Sequence, residues 1–101
     1  MSEKDLQQLG TTLLFENETC RVWHLDLGPG EASDWHTHEL PYAFVVTRAG
    51  PISTEYVDGS LDPQNDVRGT ARYFEVGRHH RLLNTGESRY EDIVIEFKDI
   101  N

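Results

Sequence analysis

Residues 30–50, GEASDWHTHELPYAFVVTRAG, hold the stretch of sequence that decides the fold. His36 and His38 stand two positions apart in a segment, 35–38, that we expect to form a short strand. Alternate residues on a strand point to the same face, so both imidazoles can converge on one metal ion. Two histidines on the solvent face of a strand have the same spacing, so the pair alone leaves both interpretations open.

A second block, residues 69–84, reads GTARYFEVGRHHRLLN. In the first block five residues separate Gly30 from His36, and Gly50 lies beyond His38 after eleven intervening residues. The second block contains Gly77, His80 and, after three intervening residues, Asn84.

These two blocks resemble the paired signature motifs of the cupin superfamily, G-x5-H-x-H-x3,4-E-x6-G and G-x5-P-x-G-x2-H-x3-N. The resemblance extends over residues 20–98. It implies an all-β fold, the cupin-type double-stranded β-helix, which is a jelly-roll barrel of two antiparallel sheets. It also implies one divalent metal ion per chain, bound by His36, His38 and His80 near one mouth of the barrel.

The chain departs from the cupin pattern at two positions. Glu75 replaces the proline of the second motif, at a position that shapes a turn. Ala43 stands where the first motif has its acidic ligand, and a methyl group cannot bind metal; the alternative spacing reaches Tyr42, an uncommon ligand. Three neutral imidazoles cap one face of an ion and leave the opposite positions open to water or substrate. Without a carboxylate the site keeps more positive charge, which favours an anionic or chelating substrate.

A minority of cupins, including dioxygenases of thiols and diketones, use such a three-histidine set. The resemblance therefore implies a mononuclear metal-dependent enzyme acting on a small anionic or chelating molecule, in the first place an iron(II) dioxygenase. A metal-dependent isomerase, lyase or decarboxylase remains an alternative, as does a non-catalytic module that binds a small ligand or a metal. Fe(II) is the expected ion, although Ni, Zn, Mn or Cu also binds nitrogen ligands.

Three residues are candidates for catalysis beside the metal: Glu39, Tyr42 and Glu96. Pro41 interrupts regular strand pairing, and a bulge there could turn Glu39 or Tyr42 inward. Glu96 lies on the last predicted strand, where an inward carboxylate could act as a base or orient a ligand. The substrate pocket is predicted to be lined by Trp35, Tyr42, Val45 and Tyr73.

The rest of the chain follows a β-pattern. Short apolar runs broken by turn residues predict an all-β sandwich or barrel. Strands are predicted at 11–15, 20–27, 35–38, 42–48, 52–57, 71–76, 81–84 and 90–98. Residues 61–67 contain Pro63 and are predicted to be a loop. Residues 1–10 are predicted to be a flexible arm, and residues 11–99 a single cupin domain.

Composition limits the partners and the location. A chain of 101 residues fits one domain. Its 9 basic and 18 acidic residues give a net charge of −9, which argues against nucleic acid or an anionic membrane as partner. The single cysteine, Cys20, excludes an internal disulfide. The sequence begins without a secretory leader pattern, so a cytoplasmic protein is expected.

The run Tyr42-Ala-Phe-Val-Val46 is apolar on both faces of its predicted strand. A strand of this kind is covered on both sides. In so small a protein a second subunit can supply one cover, and small single-domain cupins are commonly dimers. We therefore expect a homodimer, with a small-molecule substrate as the other partner.

Overall fold

Eight β-strands make up most of the computed structural model, which describes residues 12–37, 39–75 and 79–98. In chain order the strands are β1 (Thr12–Glu16), β2 (Cys20–Leu27), β3 (Tyr42–Arg48), β4 (Ile52–Tyr56), β5 (Leu61–Gln64), β6 (Ala71–Phe74), β7 (His80–Asn84) and β8 (Tyr90–Phe97). Within these described ranges no helix is long and apolar enough to cross a membrane.

The strands form two antiparallel sheets. Five strands pair in the order β1-β2-β8-β3-β6, and three pair in the order β5-β4-β7. All six strand pairings among the described residues are antiparallel. The C-terminal strand β8 therefore lies at the centre of the larger sheet, between β2 and β3. The prediction of an all-β fold with two antiparallel sheets is confirmed.

The hydrophobic core lies between the sheets and has two parts that share Phe44. One cluster joins Leu25, Leu27, Val46 and Tyr90 of the larger sheet to Ile52 of the smaller one. The other consists of Trp23, Tyr42 and Val94. Burying a side chain of this size stabilises the fold by roughly 1.5–3 kcal/mol. Because the first cluster draws on both sheets, it holds them face to face.

Asn84, at the end of β7, ties the end of β2 to the turn between β7 and β8. Its Nδ2 donates to the carbonyl oxygens of Leu27 and Ser88, both at 2.8 Å. Its Oδ1 accepts from the backbone nitrogen of Gly86, also at 2.8 Å. The side chain is 1% exposed, so these bonds replace hydration that it has lost on folding.

The structure differs from the predicted strands in two places. Residues 61–67 were expected to be a loop, but Leu61–Gln64 form β5. The expectation is wrong because β5 is an edge strand, where Pro63 can sit without removing a needed N–H group. The predicted strand at 35–38 is likewise reduced to an isolated bridge at His36. Residues 1–11, 38, 76–78 and 99–101 lie outside the described residues, so the predicted arm at 1–10 stays a prediction.

The inward face of β8 carries carboxyl groups. Tyr90, Asp92, Val94 and Glu96 are all buried there, whereas the residues between them are less so. Asp92 Oδ2 accepts a hydrogen bond from the Tyr90 hydroxyl at 2.8 Å, while Oδ1 is buried with no hydrogen-bond partner in the described part of the chain. Burial raises the pKa of Asp92 from 3.8 to about 7, although the bond from Tyr90 opposes the shift.

We expect replacement of Asp92 by asparagine to flatten the pH dependence of stability. The folded protein binds the Asp92 proton more tightly than the unfolded chain does, so its contribution is complete below pH 3.8 and is lost as the pH rises towards about 7. The free energy of unfolding of the wild type, measured with denaturant, should therefore fall over this pH interval by more than that of Asp92→Asn. Asp62→Asn, at an exposed position on β5, is the control. Equal pH slopes for the wild type and Asp92→Asn would contradict the assignment.

Candidate metal centre

Two of the predicted ligands meet in an antiparallel bridge at the β7 edge of the smaller sheet. The backbone nitrogen of His36 donates to the His80 carbonyl at 2.9 Å, and that of His80 donates to the His36 carbonyl at 2.8 Å. Directly paired residues project their side chains to the same face. The two rings accordingly lie with their centroids 4.8 Å apart and their planes at 87°. Both residues are buried, at 2% and 8% exposure.

The segment before His36 is held to β7 although it forms no regular strand. It begins at a turn in which Gly30 has a φ of +79°, a conformation that favours glycine. The Gly30 nitrogen then donates to the Asn84 carbonyl at 3.0 Å, and the Ser33 nitrogen to the Leu82 carbonyl at 2.9 Å. The hydroxyl of Ser33 accepts from the Leu82 nitrogen at 2.9 Å. These bonds bring His36 opposite His80.

One further contact orients the His36 ring. Its Nδ1 lies 2.8 Å from the backbone carbonyl of Asp34. A carbonyl oxygen can only accept, so Nδ1 carries the proton and Nε2 keeps its lone pair. A backbone partner on one ring nitrogen is the usual way in which proteins prepare the other nitrogen for a metal.

Both imidazoles are held in the neutral form that metal binding requires. Burial lowers the pKa of His80 to about 4, and the positive charges that His36 and His79 can carry add to the effect. Burial also lowers the pKa of His36, partly offset by its bond to Asp34. The donor chemistry of these two residues therefore fits a divalent ion with nitrogen ligands.

The third predicted ligand, His38, lies outside the described residues. Within the part of the chain that the structure describes, no group of three or more histidine, cysteine or carboxylate side chains could hold a metal ion. A complete three-histidine set is therefore still a prediction.

Two tyrosines from opposite sheets lie at the same end of the barrel as the histidines. The ring of Tyr56, on β4, is 6.1 Å from that of His80. Tyr42, on β3, stacks on Phe74 at 5.2 Å and is buried. Burial, and to a smaller degree Tyr56, raises the pKa of Tyr42 to about 12. Its hydroxyl is therefore protonated at neutral pH and can donate a hydrogen bond.

Glu96, on β8, is the carboxyl group next to Tyr42 in the larger sheet. The two residues are paired across β3 and β8, and Arg21 pairs with Glu96 from the other side. Glu96 Oε1 accepts from Trp23 Nε1 at 3.1 Å and lies 3.3 Å from Arg21 Nε. Burial raises the pKa of Glu96, although the Trp23 bond and the Arg21 charge oppose it. The result is an oriented carboxyl group inside the barrel whose proton is held more tightly than usual.

The other predicted site residues are placed differently. Trp35 is 40% exposed and stacks on His79 at 5.8 Å, with the Arg81 guanidinium 4.8 Å from its ring centroid. Glu39 is exposed. Val45 is three residues after Tyr42 on β3, and Tyr73 pairs with Ala43, the residue next to Tyr42. Both side chains therefore point to the opposite face of the five-stranded sheet from Tyr42. The register thus pairs Tyr42 with Glu96 on the inward face of the larger sheet. Val45 and Tyr73 lie on its outer face.

Sequence reasoning missed two residues at this end of the barrel. Tyr56 lies on the inward face of β4, two positions from the buried Thr54, and strand alternation could have indicated it. Arg21 approaches Glu96 only because β2 pairs with β8, strands that are far apart in the sequence. No local pattern indicates that contact.

Comparison with known proteins supports the cupin class. No protein-family model matches the sequence, and no curated protein is significantly similar to it. Among solved structures, a cupin domain from Bordetella pertussis is 25% identical, with a TM-score of 0.80 over 93% of this chain and 99% of that one. An RmlC-like cupin family protein from Methanocaldococcus jannaschii, with a double-stranded β-helix fold, is 20% identical, with a TM-score of 0.66 over 96% and 86%. The fold is therefore the cupin double-stranded β-helix.

Similar folds also occur in three enzymes. A sugar phosphate isomerase from Silicibacter pomeroyi is 20% identical, with a TM-score of 0.58 over 81% of this chain and 52% of that one. A DMSP lyase from Ruegeria pomeroyi is 14% identical, with a TM-score of 0.60 over 84% and 41%. A polyketide cyclase from Streptomyces resistomycificus is a third neighbour, with a TM-score of 0.62. At these identities the likeness concerns the fold alone.

We expect His36 in the metal-free protein to be the Nδ1-protonated tautomer at neutral pH. The Asp34 carbonyl requires a proton on Nδ1, and burial disfavours a second proton on the ring. Long-range nitrogen–proton NMR correlations of the imidazole distinguish the two neutral tautomers. Partly exposed His24, whose Nε2 lies 2.8 Å from Glu91, is the internal comparison. An Nε2-protonated His36 would contradict the geometry.

Proposed function

We propose that this chain is a mononuclear metal-dependent cupin enzyme that acts on a small anionic or chelating molecule. The observation that carries the proposal is the buried pair of neutral imidazoles, with the His36 ring fixed by the Asp34 carbonyl. His38 is proposed as the third ligand because it stands at the second histidine position of the cupin motif that the chain resembles. The resident ion is proposed to be Fe(II), with Ni, Zn, Mn or Cu as substitutes in purified protein.

The proposed site favours a negatively charged substrate. Three neutral imidazoles leave the charge of a divalent ion uncompensated, and Ala43 replaces the acidic ligand of the cupin pattern. When bound, the ion would supply Lewis-acid stabilisation of negative charge that develops on a substrate oxygen. The protonated hydroxyl of Tyr42 donates a hydrogen bond to such an oxygen. Aromatic side chains from both sheets, Tyr42 with Phe74 and Tyr56, lie at this end of the barrel.

Acid–base chemistry, as in an isomerase or lyase, is favoured by Glu96. The side chain is 4% exposed, and its pKa is raised towards neutral pH, where a carboxyl group exchanges a proton most effectively. Trp23 and Arg21 hold Oε1, so the carboxyl group keeps one orientation. Glu96 then removes a proton from a carbon or hydroxyl of the substrate, or returns it. Isomerase and lyase members among the similar folds agree with this chemistry.

Iron(II) dioxygenase chemistry is the second candidate, and the ligand set favours it. Three nitrogen ligands on one face would leave room for a bidentate substrate and for dioxygen. The two candidates differ in a measurable way, because only the second consumes oxygen. A protein that binds a small ligand tightly and turns over in neither assay would be the binding module instead.

Metal binding is the first test. We expect protein loaded anaerobically with Fe(II), Mn(II) or Zn(II) to retain about one ion per chain after desalting, measured by mass spectrometry of the metal. His36→Ala, His38→Ala and His80→Ala should each lower the retained metal by roughly 10-fold or more, since each removes a direct ligand. His24→Ala is the matched control, because its ring binds Glu91 at the outer surface. Full retention by the three variants would contradict the proposal.

The second test separates proton transfer from oxidation. Metal-loaded protein is incubated with small keto acids, hydroxy acids, diketones, thiols and flavonols in deuterated water. NMR follows carbon-bound deuterium, and an electrode follows dioxygen. We expect Glu96→Gln to slow deuterium incorporation by roughly 10²–10⁴-fold, the usual contribution of a positioned base. Glu75→Gln, at an exposed glutamate, should leave the rate unchanged.

The outcome of the second test is decisive in both directions. If a substrate causes oxygen consumption and Glu96→Gln leaves its rate unchanged, the acid–base assignment is wrong and the protein is a dioxygenase. Circular dichroism and thermal unfolding of Glu96→Gln establish that a lost rate is not lost folding.

A further inference from the structure

Arg21, on β2, is a mostly buried arginine with an N–H group that lacks a partner. Strand alternation places its side chain on the inward face, with Trp23 and Leu25, and the side chain is 19% exposed. Its Nε is buried and has no hydrogen-bond partner in the described part of the chain. A buried donor without a partner lowers the stability of the fold, so its presence calls for an explanation.

Exposed arginines of this chain are bound by carboxylates at the same nitrogen. The Nε of Arg72 donates to Asp66 at 2.9 Å, and the Nε of Arg89 donates to Asp26 at 2.8 Å. Both of these side chains are 48% exposed. The Nε of Arg21 makes no such bond although Arg21 is the more buried residue. A structural ion pair is therefore an incomplete explanation of its position.

Two carboxyl groups lie near Arg21, but each already accepts a hydrogen bond from another side chain. Arg21 Nε is 3.3 Å from Glu96 Oε1 and 3.8 Å from Glu16 Oε2. Glu96 Oε1 accepts from Trp23 Nε1, and Glu16 Oε2 accepts from Lys98 Nζ. A guanidinium carries five N–H donors in a fixed fork that matches a carboxylate. Arg21 thus keeps the capacity to bind one more carboxylate.

Arg21, Glu96 and Tyr42 stand side by side in one row of the larger sheet. Arg21 pairs with Glu96 across β2 and β8, and Glu96 pairs with Tyr42 across β8 and β3. All three residues are on the inward face, and neighbouring strands lie about 4.8 Å apart. The row presents, in this order, a cation, a carboxyl group that can exchange a proton and a hydroxyl that can donate a hydrogen bond.

A 3-oxo acid has its functional groups in the same order: a carboxylate, a carbon with an acidic proton and a ketone carbonyl. With the carboxylate on Arg21, the acidic C–H group lies beside Glu96 and the ketone oxygen lies towards Tyr42. Glu96 Oε2 takes the proton, because Trp23 and Arg21 both approach Oε1. The electron pair of the broken C–H bond moves onto the ketone oxygen, and the enolate so formed accepts a hydrogen bond from the Tyr42 hydroxyl.

We infer that Arg21 binds the carboxylate of the substrate and that the substrate is a small 3-oxo acid. The substrate class rests on the proposed function, in which Glu96 is the base, whereas the carboxylate site needs no metal ion. The unpartnered Nε of Arg21 beside Glu96 carries the inference. In a chain with a net charge of −9, a cation inside the barrel is also what allows an anion to approach Glu96.

Malonate is the probe for the carboxylate site, because it is stable and has a second carbonyl group one carbon away from its carboxylate. Malonamide has a similar shape and no charge. The indole N–H of Trp23 donates to Glu96 Oε1 and reports binding as a shift of its NMR signal. We expect malonate to move this signal in the full chain, before and after treatment with Zn(II), and malonamide to leave it in place. The indole signal of Trp35, the other tryptophan, is the internal reference.

Two variants of Arg21 test the assignment of the cation. Arg21→Gln should weaken malonate binding roughly 10- to 100-fold, the usual effect of removing a hydrogen bond to a charged group. Arg21→Lys should weaken it less, because lysine keeps the charge and loses the fork. Arg89→Gln, which removes an exposed arginine, is the matched control and should bind malonate as the wild type does. Thermal unfolding establishes that each variant is folded.

Deuterium exchange at the carbon between the two carbonyl groups of acetoacetate tests the substrate class. We expect the metal-loaded wild type to accelerate this exchange above the uncatalysed rate. Arg21→Gln should raise KM roughly 10-fold or more with a smaller effect on kcat, since Arg21 binds the substrate and Glu96 transfers the proton. Ethyl acetoacetate has no carboxylate, so its exchange should be the same with the wild type and with Arg21→Gln.

Separate results would overturn the two parts of the inference. The carboxylate site is wrong if malonate leaves the Trp23 signal of the wild type in place, if Arg21→Gln binds malonate equally well, or if malonamide binds as tightly. The substrate class is wrong if acetoacetate is not exchanged or if its exchange is independent of Arg21. A chain that retains no metal and still binds malonate through Arg21 would contradict the proposed function and support the carboxylate site.

Discussion

The reciprocal backbone bonds between His36 and His80 are the constraint on which the candidate site depends. These residues belong to segments far apart in the sequence, and the bridge fixes both backbones at adjacent positions. The same two bonds also satisfy four backbone groups that would be costly to bury unpaired. Side-chain geometry then follows: two rings on one face, 4.8 Å apart. An irregular segment can thus present a ligand as firmly as a strand does, provided that it is bonded along its length to β7.

Carboxyl groups inside the barrel reduce stability, and the two that are buried there are held in different ways. Asp92 accepts one bond from Tyr90, and its other oxygen has no hydrogen-bond partner among the described residues, so burial is its dominant influence. Glu96 is instead fixed by Trp23 and flanked by Arg21, and it pairs with Tyr42 of β3. An apolar side chain of similar size could have filled either position. Buried polar groups that are retained at a cost in stability are typical of functional sites, and the register makes Glu96 the better candidate.

Local sequence pattern was enough to predict most of the strands and the all-β fold. Local pattern failed where the structure of a segment depends on which strands lie beside it in the sheet. Pro63 predicts a break in the strand. Its missing N–H group matters, however, only where another strand lies on that side, and the sequence does not reveal whether one does. On β8 the alternation separated Ile93, Ile95 and Phe97 from Val94, but a period of two does not say which face is inside. The contacts of Arg21 and Tyr56 likewise arise only when distant strands pair.

The strand β8 carries the candidate base and part of the outer surface of the sheet on one backbone. Its inward side chains place Glu96 inside the barrel, while Ile93, Ile95 and Phe97 lie on the other face. Adjacent residues on a strand point to opposite faces, so the side chains of one face do not limit the choice on the other. Glu96 keeps its position beside Tyr42 only while β8 stays in register with β3. Because β8 lies between β2 and β3, pairing on both sides holds that register, and the geometry of the site therefore depends on the integrity of the larger sheet.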